Sequence, residues 1–153
     1  MNKRIVAAPV RKTITVNTSQ AKAFDVFVGR LDKWWPRDHH IGKAPMKEAI
    51  IERKQGGRWY EKGEDGSECD WGKVLAYEPP ARIVLSWHLN SQFHFDETVV
   101  SEVDVRFIAA GANQTRVELE HSIEAADAEG IRAGVDSPRG WGLLLELYAN
   151  AAI

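Results

Sequence analysis

Residues 70–89 read DWGKVLAYEPPARIVLSWHL and contain two strand patterns that meet at Pro79-Pro80. The second pattern alternates, which is typical of a strand with one buried face. Its apolar positions are Ile83, Leu85, Trp87 and Leu89. Because proline lacks an amide N–H for a strand ladder, the two prolines separate the strands. Strands joined by so short a turn are antiparallel neighbours, so this stretch predicts antiparallel pairing at the centre of the chain.

Strand patterns continue on both sides of this stretch. Residues 11–17 alternate, and two β segments flank Gly56-Gly57, a hairpin signal. Two long alternating segments, TVVSEVDVRFI at 98–108 and TRVELEHSI at 115–123, are joined by a turn. The order along the chain is therefore one strand, one helix, six β segments and a final helix.

Both helices are predicted from their caps and their apolar spacing. Thr18 or Ser19 can cap the first helix, whose apolar positions are Ala23, Phe24, Phe27, Val28 and Leu31. Residues 124–136 form a polar connector. Ser137 can cap the final helix, with Pro138 in its first turn. The apolar stripe of that helix consists of Trp141, Leu144, Leu145 and Tyr148.

An antiparallel sheet with its helices on one face is an α+β, two-layer design. The length of 153 residues fits one domain, and we expect a single domain over residues 1–153. A chain of this length can bury roughly 68–70% of its unfolded surface.

Composition excludes several classes of protein. The net charge of −2, with acids and bases interspersed, argues against a nucleic-acid partner. No apolar run approaches the ~20 residues of a membrane span. The single cysteine, Cys69, excludes an internal disulfide and suits a reducing compartment. We therefore expect a soluble cytoplasmic protein.

Four motifs resemble a known superfamily over most of the chain. They are GGRW at 56–59, the turn Asp65-Gly66, WGKVLAYEPPARIVLSW at 71–87 and RGWGLLLELYA at 139–149. Together they resemble the START-like helix-grip (SRPBCC) superfamily, in the branch homologous to the C-terminal domain of the heat-shock-protein-90 ATPase activator.

The resemblance implies a curved antiparallel sheet gripping a long C-terminal helix, with an apolar cavity between them. It also implies a range of functions, because members include lipid and hormone binders, cyclases, hydrolases and chaperone activators. The chaperone activator has a second, N-terminal domain that makes much of the chaperone contact, and this chain has no room for it. Chaperone contact is therefore the least favoured of these functions.

The leading hypothesis is a protein that binds a small apolar or amphipathic molecule in an internal cavity, without defined catalysis. Tryptophan supplies such a cavity with an apolar wall and one directional donor. Six tryptophans are spread along the chain. The residues expected to line the cavity are Trp35, Trp59, Trp87, Phe107, His121, Trp141, Leu145 and Tyr148.

His121 lies on the apolar face of its strand, in phase with Val117 and Leu119. A buried histidine with a lowered pKa can orient a ligand or act as a general base. Glu61 shares a strand face with Trp59, although the solvated rim is its preferred position. An alternative function is therefore a cyclase or hydrolase that uses His121 and Glu61 as an acid–base pair.

The stretch LDKWWPRDHHIGK at 31–43 holds two tryptophans and two histidines. Zinc sites need three or four convergent ligands, and His39, His40 and Cys69 match no such spacing. We therefore predict no metal and no cofactor. The stretch is interpreted as architecture near the cavity mouth.

Phe93 and Phe95 stand in a polar loop, and exposed aromatics indicate a contact surface. Because two-fold pairs are the commonest assemblies, a homodimer is the preferred expectation. The alternative is a monomer whose loop folds back over the cavity as a lid.

Overall fold

The computed structural model describes residues 4–153 and arranges eight strands of that range in an antiparallel sheet. The first three residues of the predicted domain lie outside the described part. The strands are β1 (Ile5–Val6), β2 (Val10–Val16), β3 (Met46–Ile51), β4 (Arg58–Gly63), β5 (Glu68–Glu78), β6 (Arg82–Ser86), β7 (Val100–Gly111) and β8 (Gln114–Ala125). Their order across the sheet is β1-β8-β7-β6-β5-β4-β3, and β2 also pairs with β8.

Four helices cover the sheet within the described range: α1 (Gln20–Gly29), α2 (Leu31–Trp34), α3 (Ala128–Val135) and α4 (Trp141–Ala151). Ser19 caps α1, since its hydroxyl accepts from the amide of Lys22. In the part of the chain that the structure describes, no helix combines the length and apolar character needed to cross a membrane.

Two details of the predicted helices are wrong. The polar connector contains α3, because Ala128, Ile131 and Val135 have helical spacing and are buried. The polar residues between them made this short apolar pattern difficult to recognise in the sequence. Ser137 does not cap the last helix, which begins after Gly140 without a side-chain cap. A side chain at Gly140 would clash, because its Cβ would lie 2.0 Å from the carbonyl oxygen of Val135.

The sheet bends where β5 passes from one partner to the next. The first half of β5 pairs with β4 and the second half with β6, with a bulge in each pairing. Bulges increase the local twist of a sheet. Gly72 lies at this point, and a Cβ there would be 1.8 Å from the carbonyl oxygen of Ser86. Gly72 therefore stands where the backbones of two strands approach closely.

The concave face of the sheet holds the terminal helix. The Tyr148 hydroxyl of α4 donates to the carbonyl of Ala23 at 2.7 Å, and its ring packs 5.1 Å from that of Phe27. Phe27 in turn packs edge-on against Phe107 of β7 at 5.6 Å. This sequence of contacts joins α4, α1 and the sheet in one core. The predicted α+β helix-grip fold, with a curved antiparallel sheet and a C-terminal helix, is confirmed.

Candidate functional site

A cavity of about 320 Å³ opens at one end of the sheet. The loop after α2, β5 at Trp71, the segment just after β6, the end of α3 and the start of α4 all contribute to it. Its larger apolar lining residues are Trp35, Ile41, Trp71, Trp87, Leu89, Phe93, Val135, Trp141 and Leu144. Its polar lining residues are Asp38, His39, His40, Ser137 and Arg139.

Four of the lining tryptophans form a connected aromatic wall. The Trp35 ring lies 5.1 Å from the Trp71 ring and 6.1 Å from the Trp141 ring. The Trp87 ring lies 5.9 Å from that of Trp141. Trp59 packs behind this wall, 5.6 Å from both Trp71 and Trp87. Tilted and edge-to-face aromatic pairs of this kind add to the free energy gained by burying the rings.

The indole N–H groups of this wall already have partners. Trp35 donates to the carbonyl of His39 at 2.8 Å, and Trp87 donates to the carbonyl of Leu89 at 3.2 Å. Trp71 donates to a carboxylate and Trp141 to an imidazole, at 2.9 Å and 3.0 Å. The expectation that tryptophan offers the ligand a directional donor is therefore wrong for these four. They present ring faces and edges.

The eight side chains expected around the cavity are all buried but lie at different depths. Trp35, Trp87 and Trp141 contact the cavity. Trp59 and His121 pack behind that wall. Three lie elsewhere: Phe107 and Tyr148 contact α1, and Leu145 borders a separate surface depression beside β2.

His121 is completely buried between the sheet and α4. Its Nδ1 accepts from the Trp141 indole at 3.0 Å, and its Nε2 lies 2.6 Å from the Ser101 hydroxyl oxygen. Because an indole nitrogen can only donate, Nδ1 carries no proton, and the neutral ring carries its proton on Nε2. Burial lowers the pKa of His121 to about 3, which keeps the ring neutral at ordinary pH. The histidine is therefore placed to orient Trp141.

Glu61 does not lie at a solvated rim, so that preference was wrong. Only 1% of the residue is exposed. Its Oε1 accepts from the Ile41 amide at 2.6 Å and from Trp71, while its Oε2 accepts from the Gly42 amide at 3.2 Å. The loop at residues 40–42 folds over β4 and supplies two of these donors. Glu61 and His121 have separate partners, so the structure does not join them by a hydrogen bond.

The mouth of the cavity is closed on one side by a polar network. The two ring nitrogens of His39 lie 2.8 Å from an Asp38 carboxylate oxygen and 2.8 Å from the Arg139 carbonyl. The Arg139 guanidinium also donates to Asp38. The hydrogen bond between His39 and Asp38 is the largest cause that lowers the pKa of Asp38, and the bond from the Arg139 guanidinium is the next. This network ties the loop after α2 to the segment before α4.

Sequence reasoning did not place His40, Asp38 or Arg139 in the cavity lining. His40 belongs to the stretch that the sequence interprets as architecture near the cavity mouth, and not to the expected lining residues. The signal available was the run Asp38-His39-His40 only three residues after Trp35, together with Arg139 two residues before Trp141. Charged and titratable residues so close to wall tryptophans indicate the rim of the same site.

The aromatic loop folds back on α3 beside the mouth. Both the amide and the hydroxyl of Ser91 donate to Asp127, and Phe93 lines the cavity with a positive φ of 59°. Phe95 packs beside the His88 ring at 5.6 Å. Both phenylalanines remain a little less than half exposed. The loop therefore borders the cavity mouth through Phe93.

A bent antiparallel sheet holding a terminal helix, with an aromatic cavity at one end, defines the START-like helix-grip (SRPBCC) class. The family described as "Activator of Hsp90 ATPase homolog 1-like protein" matches residues 17–147. The chain belongs to this family. The match covers α1, α2, α3, the first part of α4 and strands β3–β8.

Solved structures extend this similarity. An anthrahydroquino-Gama-pyrone synthase, Txn09, complexed with SUM, is 32% identical with a TM-score of 0.65, covering 97% of this chain and 98% of that chain. CalC from Micromonospora echinospora, a self-sacrificing resistance protein, is 29% identical with a TM-score of 0.70, covering 94% and 93%. A protein from Arthrobacter aurescens at 16% identity and a TM-score of 0.67, covering 97% and 90%, shares the fold. No curated protein matches the chain.

Proposed function

We propose that this protein binds a small, ring-bearing amphipathic molecule in the tryptophan-lined cavity. The observation that carries the proposal is the wall formed by Trp35, Trp71, Trp87 and Trp141, whose N–H groups are already bonded within the protein. Such a wall offers aromatic surface, while the polar groups of the cavity are collected near His40 and Arg139. The ligand would have a flat apolar body and a polar end.

The size of the cavity supports this assignment. Its volume of about 320 Å³ is at the lower end of the range of about 300–1,000 Å³ for small-molecule pockets. The 32% identical Txn09 is named as a synthase of an anthrahydroquino-Gama-pyrone, a ring-bearing molecule. A compact ligand with a few fused rings agrees with the volume of the cavity and with the ring-bearing molecule in the name of Txn09.

The test is a titration with the dye 8-anilinonaphthalene-1-sulfonate, followed by quenching of tryptophan emission. We expect saturable quenching by the unmodified protein. Ile41→Trp adds a large ring at the cavity wall and should weaken dye binding at least about tenfold, a change of about 1.4 kcal/mol. Ile108→Trp, on the exposed part of β7, is the matched control and should bind like the unmodified protein.

A cyclase-type enzyme is the second candidate, favoured by the synthase named among the solved structures. The acid–base pair first expected, His121 with Glu61, is not supported, since His121 has no exposed surface and its nitrogens are committed to Ser101 and Trp141. A bell-shaped pH–rate profile with an aromatic polyketone substrate would favour this candidate. A flat profile at the uncatalysed rate would count against it.

Stimulation of a chaperone ATPase is a third candidate, supported by the family to which the chain belongs. The chain alone should then raise the ATP turnover of a purified heat-shock-protein-90. No increase at a tenfold molar excess would remove this candidate.

We further propose that residues 1–153 act as one domain and that the protein forms a homodimer. The exposed rings of Phe93 and Phe95 support the second point. A thermal melt tests the single domain, which should unfold in one cooperative transition. Light scattering at micromolar concentration tests the homodimer, and a strictly monomeric mass would contradict it.

A further inference from the structure

A second histidine, His40, approaches the Glu61 carboxylate. The Nδ1 of His40 is 3.7 Å from Oε2 of Glu61. This distance is too long for a hydrogen bond but is an ion-pair distance once the imidazole is protonated. The His40 Nδ1 atom is itself buried and has no hydrogen-bond partner. A buried ring nitrogen facing a carboxylate without a bond is an unusual feature that calls for a role.

Glu61 is fixed in a form that can only accept hydrogen bonds. All three of its partners are N–H groups, from Ile41, Gly42 and the Trp71 indole. Because none of these N–H groups can accept a hydrogen bond, the arrangement suits a carboxylate and not a protonated carboxyl group. Among residues 4–153, His40 is the one side chain able to carry a positive charge within 4.0 Å of it. Within that distance the buried carboxylate therefore has no permanently charged partner among the described residues.

His40 connects this carboxylate with the cavity. Its side chain is 24% exposed and lines the cavity, although its Nδ1 is buried on the Glu61 side. The other ring nitrogen, Nε2, is thus the one left for a ligand. Gly42 permits the arrangement, because a Cβ there would lie 3.1 Å from Oε2 of Glu61 and 3.2 Å from the Cys69 sulfur.

We propose that His40, backed by Glu61, accepts the proton of an acidic ring hydroxyl, a phenol or an enol, on the molecule bound in the cavity. This inference rests on the proposed binding function and names the chemical class of its ligand. The ligand O–H bond breaks, its electron pair stays on the ligand oxygen, and the proton moves to Nε2 of His40. The resulting imidazolium carries a proton on Nδ1 as well, and this proton faces the Glu61 carboxylate. The ligand is held as its anion beside the new cation.

Other charged groups near the mouth are already paired with one another. Asp38 is bonded to His39 and to the Arg139 guanidinium, and His39 also contacts the Arg139 carbonyl. On the β5 side, Cys69 lies beside Gly42, and burial is the main cause that raises the pKa of its thiol. The Cys69 thiol is therefore neutral at ordinary pH. His40 and Glu61 remain as the pair available for proton transfer.

The experiment uses 4-nitrophenol, whose phenolate absorbs at a longer wavelength than the phenol. It is bound to the full chain about one pH unit below the probe's own pKa. We expect a phenolate-to-phenol ratio about tenfold higher for the bound probe than for the free probe, the effect of about one unit of pKa. His40→Gln cannot take the proton, so its bound probe should show the ratio of the free probe. His94→Gln, a loop histidine outside the cavity lining, should behave like the unmodified protein.

Imidazole NMR signals of the unmodified protein give a second readout that needs no variant. With 4-nitrophenol bound, the His40 ring should keep the doubly protonated pattern to a higher pH than in the free protein. The proposal is overturned if the bound probe stays a phenol, if His40→Gln retains the effect, or if 4-nitrophenol does not bind while the naphthalene dye does. In those cases the binding function stands. If neither probe binds, the binding function fails as well.

Discussion

The indole N–H of Trp141 donates to Nδ1 of His121 at 3.0 Å, and this bond joins the start of α4 to the centre of β8. Both residues are buried, with 1% of Trp141 and none of His121 exposed. The bond fixes the tautomer of the histidine, whose Nε2–H then faces the Ser101 hydroxyl at 2.6 Å. His121 therefore positions the Trp141 ring in the cavity wall, although His121 does not itself line the cavity.

Replacing His121 should therefore destabilise the protein. His121→Phe leaves the Trp141 N–H and the Ser101 hydroxyl without partners, at a cost of about 1–3 kcal/mol for each. The free energy of unfolding, measured with urea, should fall accordingly. In a Trp141→Phe protein the same change should cost less, because the Trp141 N–H, one of the two groups that would lose a partner, is already absent. Equal costs in both backgrounds would show that the bond contributes nothing.

The same histidine should make stability depend on pH. Its folded-state pKa of about 3 lies below the ordinary value of 6.5, so below about pH 6.5 the unfolded chain takes up a proton that the native protein does not. The contribution is complete above the unfolded value and is lost as pH falls towards 3. Between about pH 7 and about pH 5 we expect the unmodified protein to lose about 2 kcal/mol more than the double variant His121→Phe/Trp141→Phe. Parallel stability curves would contradict this.

Glu61→Gln tests the buried carboxylate. The amide nitrogen of glutamine is a donor, and it would face a cluster in which all three neighbours are donors. At least one N–H should lose its acceptor, lowering the free energy of unfolding by about 1–3 kcal/mol. Glu64→Gln, on an exposed turn, is the control and should change stability by less than about 0.5 kcal/mol. A similar free energy of unfolding for both variants would show that the Glu61 carboxylate is not needed to hold the loop at residues 40–42.

Gly134→Val tests the position of Phe93 at the mouth. A Cβ at residue 134 would lie 3.3 Å from Cζ of Phe93, so a larger side chain should push that ring outward. We expect affinity for the naphthalene dye to fall about fivefold, roughly 1 kcal/mol. Gly142→Val is the matched control, because it also adds a β-branched residue to a helix but meets no atom within 4 Å. Equal dye affinities for the two variants would mean that Phe93 does not form part of the site.

Much of the sheet could be predicted because alternation is a local property. The long segments that became β7 and β8 each bury every second residue, as their sequences indicate. Two features of the sheet could not be predicted from alternation. β1 has two residues, too few to show a period. A bulge in β5 at Trp71, next to Gly72, shifts the phase of that strand, so that Trp71 and Val74 are buried while Lys73 is not.

The candidate site could be predicted only in outline. The abundance of tryptophan indicated an aromatic cavity, and Trp35, Trp87 and Trp141 do line one. Strand phase gave His121 an inward direction but could not show that the Trp87 and Trp141 rings lie in front of it. The position of Glu61 depends on amides 19 and 20 residues earlier in the chain. Its burial, and its approach to His40, follow from how that loop folds, which no local pattern encodes.

The most direct test of the binding site is a two-dimensional nitrogen–proton spectrum that resolves the six indole N–H signals during titration with the naphthalene dye. The signals of Trp35, Trp71, Trp87 and Trp141 should shift, because a bound ring would contact their faces. The Trp34 N–H should not shift, since it donates to the Val26 carbonyl and Trp34 packs against α1, α4 and the Trp35 ring without lining the cavity. Saturable shifts of the four wall signals with Trp34 unchanged are the predicted result. No saturable shift, or a shift of Trp34 without the wall signals, would contradict the assignment of this cavity as a ligand site.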